Sequence, residues 1–347
     1  MERATVERTV IQKQLIDTLM GLQVPREDAT FVADTLLDAE SSGVESHGLM
    51  RLKPYADRLE QGLINPTPRM KLEVNGAVAK LDGDNGLGPV VMKKAVETAR
   101  DLAKAYGIGA VTVNHSNHFG MASFYTNQLA AKDCIGFVAS TAGPTMAPFG
   151  GMDLLLGTNP FSVAFPGQTQ TFCADMATSA TAKGKIRVYE KKGQPIPLGW
   201  ALDQEGNDTT DPAAAIRGIL LPMGGHKGYA LAMAVEAVGA LLSGASLSCE
   251  SASVFSADQQ ANTGHFVVAV DIAHFLPVEE FTARAQAWFD KIKSSRPRSG
   301  YTIMIPGEPE QVRRKETEET LSILPETAQM IETYWKRFAA EKTDQLN

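Results

Sequence analysis

The chain has 347 residues, with 33 Lys and Arg against 40 Asp and Glu, a formal charge of −7. Apolar residues make up 44%, enough for a substantial core, which excludes a mostly disordered chain. An acidic balance without a basic block argues against nucleic acid or an anionic membrane as the main partner. A small anionic substrate stays open, since a few local cations can bind one.

At roughly 100–200 residues per domain, the length suggests two domains or three small ones. Three scattered cysteines, Cys134, Cys173 and Cys249, fit neither a disulfide framework nor a Cys-based zinc site. They read as packed thiols. The charged start from Met1 to Val10 lacks the apolar stretch of a secretory signal. The longest apolar segment, about Tyr229 to Leu242, is shorter than a membrane span and holds Glu236. A soluble, cytoplasmic protein is expected.

Ile11, Leu15, Ile16 and Leu19 have helical spacing. A second helix is expected from Pro25, with Glu27 and Asp28 in its first turn, to about Gly43. After Glu45-Ser46-His47-Gly48, the residues Leu49, Leu52, Tyr55 and Leu59 recur at helical intervals. Asn65-Pro66-Thr67-Pro68 reads as a linker. Asn75-Gly76 between two short apolar runs signals a hairpin. Pro89 opens a helix reaching Tyr106. Strands are expected at Ala110–Val113, Ile135–Ala139, Ser162–Phe165, Phe266–Val270 and Tyr301–Ile305, with a helix between the first two. Pro222 to Gly228 leads into an Ala-rich helix, and a last amphipathic helix starts near Pro325. Strands and helices intermingle, so the class is α/β or α+β, with the two helical chain ends packed together.

Three constellations carry chemistry. In Ser46-His47-Gly48 with Arg51, the imidazole is a candidate acid or base and the guanidinium a bidentate carboxylate clamp. If a helix begins near His47, Arg51 falls one turn on and on the same face. The structural alternative makes Ser46 a helix N-cap and His47 an exposed first-turn residue. Asn114-His115-Ser116-Asn117-His118-Phe119-Gly120 follows a strand, where open α/β sheets place ligands. It reads as catalytic, as a cap for a helix beginning near Phe119, or as a metal site. Gly224-Gly225-His226-Lys227-Gly228 opens a helix and suits a phosphate or a plain turn, but it is not a Walker A loop. Gly83-Asp84-Asn85-Gly86-Leu87-Gly88 reads as structural. The Gly-x-Gly-x-x-Gly fingerprint occurs nowhere, which disfavours a conventional Rossmann domain.

In order along the chain, eight pieces resemble the type-2 malate/L-lactate dehydrogenase family. They are Ser46-His47-Gly48 with Arg51, the loop 83–88, Asn117-His118-Phe119-Gly120, Pro148-Phe149-Gly150-Gly151, Gly157-Thr158-Asn159-Pro160, Asp175-Met176-Ala177-Thr178, Gly225-His226-Lys227-Gly228 and Pro306-Gly307-Glu308. The family also holds L-sulfolactate and ureidoglycolate dehydrogenases, diketogulonate reductase and cyclic-imine carboxylate reductases. The resemblance implies a mixed-sheet, non-Rossmann α/β fold of the L-sulfolactate dehydrogenase type that binds NAD or NADP. It also implies a homodimer with the site near the subunit interface. Its expected parts are a helical domain (1–70 plus 310–347), a cofactor-binding mixed-sheet domain (71–117 plus 220–309) and a third domain (118–219).

By the resemblance His47 and His118 are the catalytic histidines, and Ser46 and Arg51 lie on the substrate side. The cofactor falls to His118, Thr158, Asn159, Asp175, Met176, Ala177, Thr178, Ser179, Lys227, Gly228, Pro306, Gly307 and Glu308. His226 stands where several members carry proline. No metal is implied. The activity expected is NAD(P)-dependent interconversion of an L-2-hydroxy acid of malate, lactate or sulfolactate type and its 2-oxo acid. The alternatives are reduction of a cyclic imine carboxylate, a metal-dependent hydrolase or lyase using His47, His115 and His118, and a nucleotide-binding protein without catalysis.

Overall fold

The computed structural model describes residues 3–251 and 259–339; the parts of the expected domains at 1–2, 252–258 and 340–347 lie outside the described residues. Its centre is a seven-stranded sheet in the order β2-β3-β4-β10-β5-β6-β7. These strands are β2 (Lys71–Asn75), β3 (Val78–Asp82), β4 (Ile108–Ser116), β5 (Cys134–Ser140), β6 (Phe161–Pro166), β7 (Thr171–Met176) and β10 (Thr263–Asp271). Only β3 and β4 run parallel. The other neighbours are antiparallel. The Asn75-Gly76 hairpin forms as expected, with Asn75 opposite Val78.

The single parallel pair needs a crossover, and helix α4 (Gly88–Tyr106) supplies it. Pro89 sits in its first turn and Gly107, at φ 84°, ends it in the left-handed region. Val91, Met92, Ala95, Val96, Ala99 and Leu102 recur on the buried face and form one core with β4 and β10. Helix α5 (Ala122–Ala130) covers β5 and β6. It starts three residues later than expected, because residues 117–121 continue as loop.

The two chain ends meet. Strand β1 (Ala4–Glu7) pairs antiparallel with β11 (Thr320–Ile323). A second core joins helices α1 (Arg8–Gly21), α2 (Arg26–Ser41) and α3 (Leu52–Glu60) to α11 (Pro325–Ala339) through Leu15, Leu36, Tyr55, Ile331 and Phe338. A third core, around Met146, Ile186, Ile196 and Leu220, holds α6 (Lys183–Lys191), strands β8 (Ala201–Leu202) and β9 (Ile219–Leu220), and α7 (Pro212–Arg217). Helix α8 (His226–Glu236) continues into a wider π turn at Ala237–Leu241. Helices α9 (Val278–Lys293) and α10 (Glu308–Glu316) complete the fold.

Two local expectations fail. Tyr301–Ile305 forms no strand. That stretch approaches the outer edge of β7 only at its end, where the Cys173 N–H donates to the Pro306 carbonyl at 2.9 Å. Without a ladder, alternation of apolar residues does not make a strand. The helix expected to begin at His47 is instead two 3₁₀ turns, Glu45–His47 and Leu49–Arg51, before α3. Ser46 therefore lies inside a turn and is no N-cap.

Candidate active site

The sequence places His47 and His118 seventy-one positions apart; the fold stacks their rings 5.4 Å apart at 20°. His47 comes from the first 3₁₀ turn, and His118 from the loop between β4 and α5. Ser46 Oγ lies 3.0 Å from His47 Nδ1. Arg51 Nε donates to the Ser46 carbonyl at 2.6 Å, which ties the guanidinium across the turn that carries His47. Ser46, His47, Arg51 and His118 are thus together.

Tyr55 belongs with them. It is 1% exposed, and its hydroxyl lies 2.8 Å from His118 Nδ1. The Gly120 N–H also donates to that nitrogen, at 3.3 Å. A ring nitrogen that accepts a backbone N–H carries no proton, so neutral His118 has its proton on Nε2 and the Tyr55 hydroxyl also donates. The signal for Tyr55 was the run 47, 51, 55 at four-residue intervals, hidden among apolar residues of a helix.

Both histidines are neutral at pH 7. Burial and then the Arg51 charge lower His47 to about 3. The same two causes, followed by His47 and His265, hold His118 well below the ordinary imidazole value. Burial also lowers Arg51 and raises the Tyr55 phenol. The fully buried His265 supports the loop from behind. It bridges Ser116 Oγ and Ser140 Oγ at 2.9 Å each, and its ring meets Phe119 edge-on.

Glu40 of α2 lies under the His47 turn. Its carboxylate accepts the Leu49 N–H at 3.1 Å, and a Cβ on Gly48 would fall 2.3 Å from its Oε2. Burial raises its pKa from 4.5 to about 7, the Leu49 bond opposing and Glu45 adding to the rise. The folded state therefore holds this proton more tightly than the unfolded chain. The resulting stability is complete below pH 4.5 and is lost as pH rises through 7. The penalty above pH 7 is at most about 3 kcal/mol. Glu40→Gln is expected to raise Tm at pH 8 but not at pH 4.5, read by thermal melts; equal shifts at both would contradict the burial of a charge.

The expected cofactor residues gather along β7 and the start of α8. Thr178 donates its N–H and hydroxyl to the Thr158 carbonyl at 2.8 and 3.0 Å, and its own carbonyl accepts the Met223 N–H at 2.9 Å. Gly228 packs beneath, where a Cβ would lie 2.4 Å from the Met223 carbonyl oxygen and 2.7 Å from that of Thr178. Ser179 bridges to Pro222. Met176 is exposed, and Ala177 stands between it and Thr178. Pro306 and Gly307 lie against Cys173, Gly307 holds φ at 88°, and Glu308 opens α10. Glu308 pairs with Lys293 at 2.6 Å.

Two of these side chains have work inside the fold. Asn159 is fully buried. Its Oδ1 accepts from the Ala142 N–H and Ser248 Oγ, and its Nδ2 donates to the Ala232 carbonyl and Glu236. That occupies the side-chain amide inside the fold, tying together residues 142, 232, 236 and 248. Asp175 accepts the Ser123 N–H at 2.7 Å at the start of α5, where a carboxylate complements the helix dipole. His115 also stands apart from the histidine pair. Its Nδ1 lies 3.1 Å from Asp82, and among the described residues no three His, Cys, Asp or Glu converge as a metal site.

The family model described as malate/L-lactate dehydrogenase matches residues 6–332. L-sulfolactate dehydrogenase of Methanocaldococcus jannaschii is 42% identical over 301 residues, 86% of this chain and 87% of that one. Malate dehydrogenase of Pyrococcus horikoshii is 40% identical over 291 residues, 81% and 80% of the two chains. The solved structure of the M. jannaschii enzyme superposes with a TM-score of 0.93, covering 96% of this chain and 97% of that one at 38% identity. This chain belongs to the malate/L-lactate dehydrogenase family.

Proposed function

We propose that the protein interconverts an L-2-hydroxy acid of malate, lactate or sulfolactate type and its 2-oxo acid, using NAD or NADP. The observation that carries this is the pair of stacked, neutral histidines beside a guanidinium. Bound NAD(P) supplies the hydride acceptor or donor.

The residues divide the remaining work. Arg51 holds the substrate carboxylate. Neutral His118 carries its proton on Nε2, so that nitrogen donates a hydrogen bond to the substrate oxygen. His47 can place its own proton on Nδ1 toward Ser46 Oγ, which leaves Nε2 as the base that takes the hydroxyl proton. In the reverse direction the same nitrogen returns it. The low pKa of His47 favours the base form. A bound carboxylate offsets the Arg51 charge and lets His47 hold the proton.

The β7–α8 region fits a dinucleotide. Gly224 and Gly225 have φ of 60° and 65°, and a Cβ on Gly224 would meet nothing within 4 Å. The backbone there is open to close approach, at the start of an eleven-residue helix. Lys227 is exposed and has no ion-pair partner among the described residues, which suits a diphosphate. A mixed sheet with one parallel pair supports a non-Rossmann mode of binding. The reading includes a homodimer and the three-part division of the chain given above. Among the described residues no helix is long and apolar enough to cross a membrane.

The test is nicotinamide fluorescence as protein is titrated into NADH and, separately, NADPH, with EDTA present. Saturable binding of either is expected, followed by turnover of 2-oxo acids. Binding of neither would overturn the reading. Turnover of piperideine-2-carboxylate alone would replace the substrate with a cyclic imine carboxylate.

A further inference from the structure

Helix α6 begins over Ser46. A Cβ on Gly184 would lie 3.6 Å from the Ser46 Cβ, ordinary van der Waals contact. Lys183 and Arg187 flank that contact, four residues apart and therefore on one face of the helix. Ile186 points the other way, into the third core. Lys183 is half-buried and Arg187 exposed. Neither has an ion-pair partner among the described residues. Arg187 lies within electrostatic reach of both Arg51 and Lys183.

Three like charges gathered around Ser46 repel one another, whatever the chain's net charge of −7. Burial and then Arg187 lower the Lys183 ammonium, and Arg187 also helps lower Arg51. An anion between the cations relieves that repulsion. The substrate carboxylate accounts for Arg51 and leaves the other two cations unanswered.

We propose that Lys183 and Arg187 on α6 form, beside Arg51 and Ser46, a second anion subsite that selects 2-hydroxy acids bearing a further acidic group, carboxylate or sulfonate, at the far end. This rests on the dehydrogenase reading and narrows it. A methyl group in that position would strip water from a guanidinium and an ammonium and return no bond. A carboxylate or sulfonate gains charge-assisted hydrogen bonds there. The two residues set specificity and take no part in the proton or hydride step.

The experiment compares kcat/KM for oxaloacetate, sulfopyruvate and pyruvate with whichever reduced cofactor binds. The wild-type protein is expected to favour the two dianions. Arg187→Ala is expected to lower the dianion-to-pyruvate ratio roughly 10–100-fold, mostly through KM, as the loss of one charged contact does. Arg187→Glu should lower it further, Arg187→Lys should keep most of it, and Lys183→Gln should lower it in the same direction. Melting temperature and NADH titration check folding and cofactor binding in each variant. The larger of the oxaloacetate and sulfopyruvate losses tells carboxylate from sulfonate. An unchanged ratio, or an equal loss on all three substrates, overturns the subsite while the dehydrogenase reading stands. A wild-type protein that reduces none of the three overturns both.

Discussion

His47→Ala is expected to lower kcat about 10²–10⁴-fold while NADH or NADPH still binds, because a positioned acid/base contributes that much to a proton-coupled step. The ring is buried against His118 and bonds Ser46, so its removal also costs some stability, and the cofactor titration separates that loss from the loss of the base. His118→Ala removes a hydrogen-bond donor to the substrate oxygen, and it also strands Tyr55 and the Gly120 N–H. That variant should lose both rate and stability. Wild-type kcat with either His47→Ala or His47→Asn would sink the assignment of the base.

The pH profile tests whether the base is a buried imidazole, since burial lowers both histidines. The kcat/KM for hydroxy-acid oxidation reports the free enzyme. A base must be neutral to act, so activity is lost as pH falls through its pKa. With His47 lowered to about 3, the profile should stay level from pH 8 to pH 5, where an unperturbed imidazole would show an acid limb near 6.5. Such a limb in the initial rates would mean that the ring is more hydrated in the working enzyme than its burial implies, or that another group is the base. The kcat for oxo-acid reduction should rise as pH falls, since that direction consumes a proton.

Much of this site was legible before the fold because its parts are local. The spacing of His47 and Arg51 put imidazole and guanidinium one turn apart, and that neighbourhood survives although two 3₁₀ turns replace the helix. The hairpin at Asn75-Gly76, the Pro89 helix start and the amphipathic helix at Pro325 are likewise set by short-range chemistry. What was not legible depends on distant packing. Tyr55 read as one more core residue, because only the arrival of the loop 117–120 gives its hydroxyl a partner. Glu40 is singled out by nothing in its own helix, because only the His47 turn folding over it buries its carboxylate. Asn159 drew notice through the resemblance, and its four partners come from residues 142, 232, 236 and 248. Tyr301–Ile305 erred in the opposite sense, since its pattern suited a strand but no ladder forms there.

Gly88→Ala is expected to abolish most activity without touching a side chain of the site. Gly88 is the first residue of α4 and is buried. A Cβ there would fall 2.3 Å from the carbonyl oxygens of both Asn117 and His118. These are backbone atoms and cannot swing aside as a side-chain terminus can. The Asn117 amide is itself pinned by the carbonyls of Asn85 and Gly86 at 3.2 and 2.9 Å. The added methyl must therefore move the helix start or the His118 loop, a form of overpacking that costs roughly 1–3 kcal/mol. A displacement of about 1 Å at a positioned group can cost on the order of 10² in rate. Two comparisons separate this effect from the mere addition of a methyl. Gly151→Ala, whose Cβ meets nothing nearer than 3.4 Å, should be nearly silent. Gly48→Ala has its one contact under 3.0 Å with the flexible end of Glu40, and meets that residue's backbone N and Cα at 3.1 and 3.2 Å. It should therefore weaken activity less than Gly88→Ala, as the carboxylate can turn away at the expense of its bond to Leu49 and the backbone need give only slightly. Rates and melting temperatures of the three variants, measured together, decide the matter. If Gly88→Ala retained wild-type kcat and Tm, the close packing of α4 against the His118 loop would not be what places that ring.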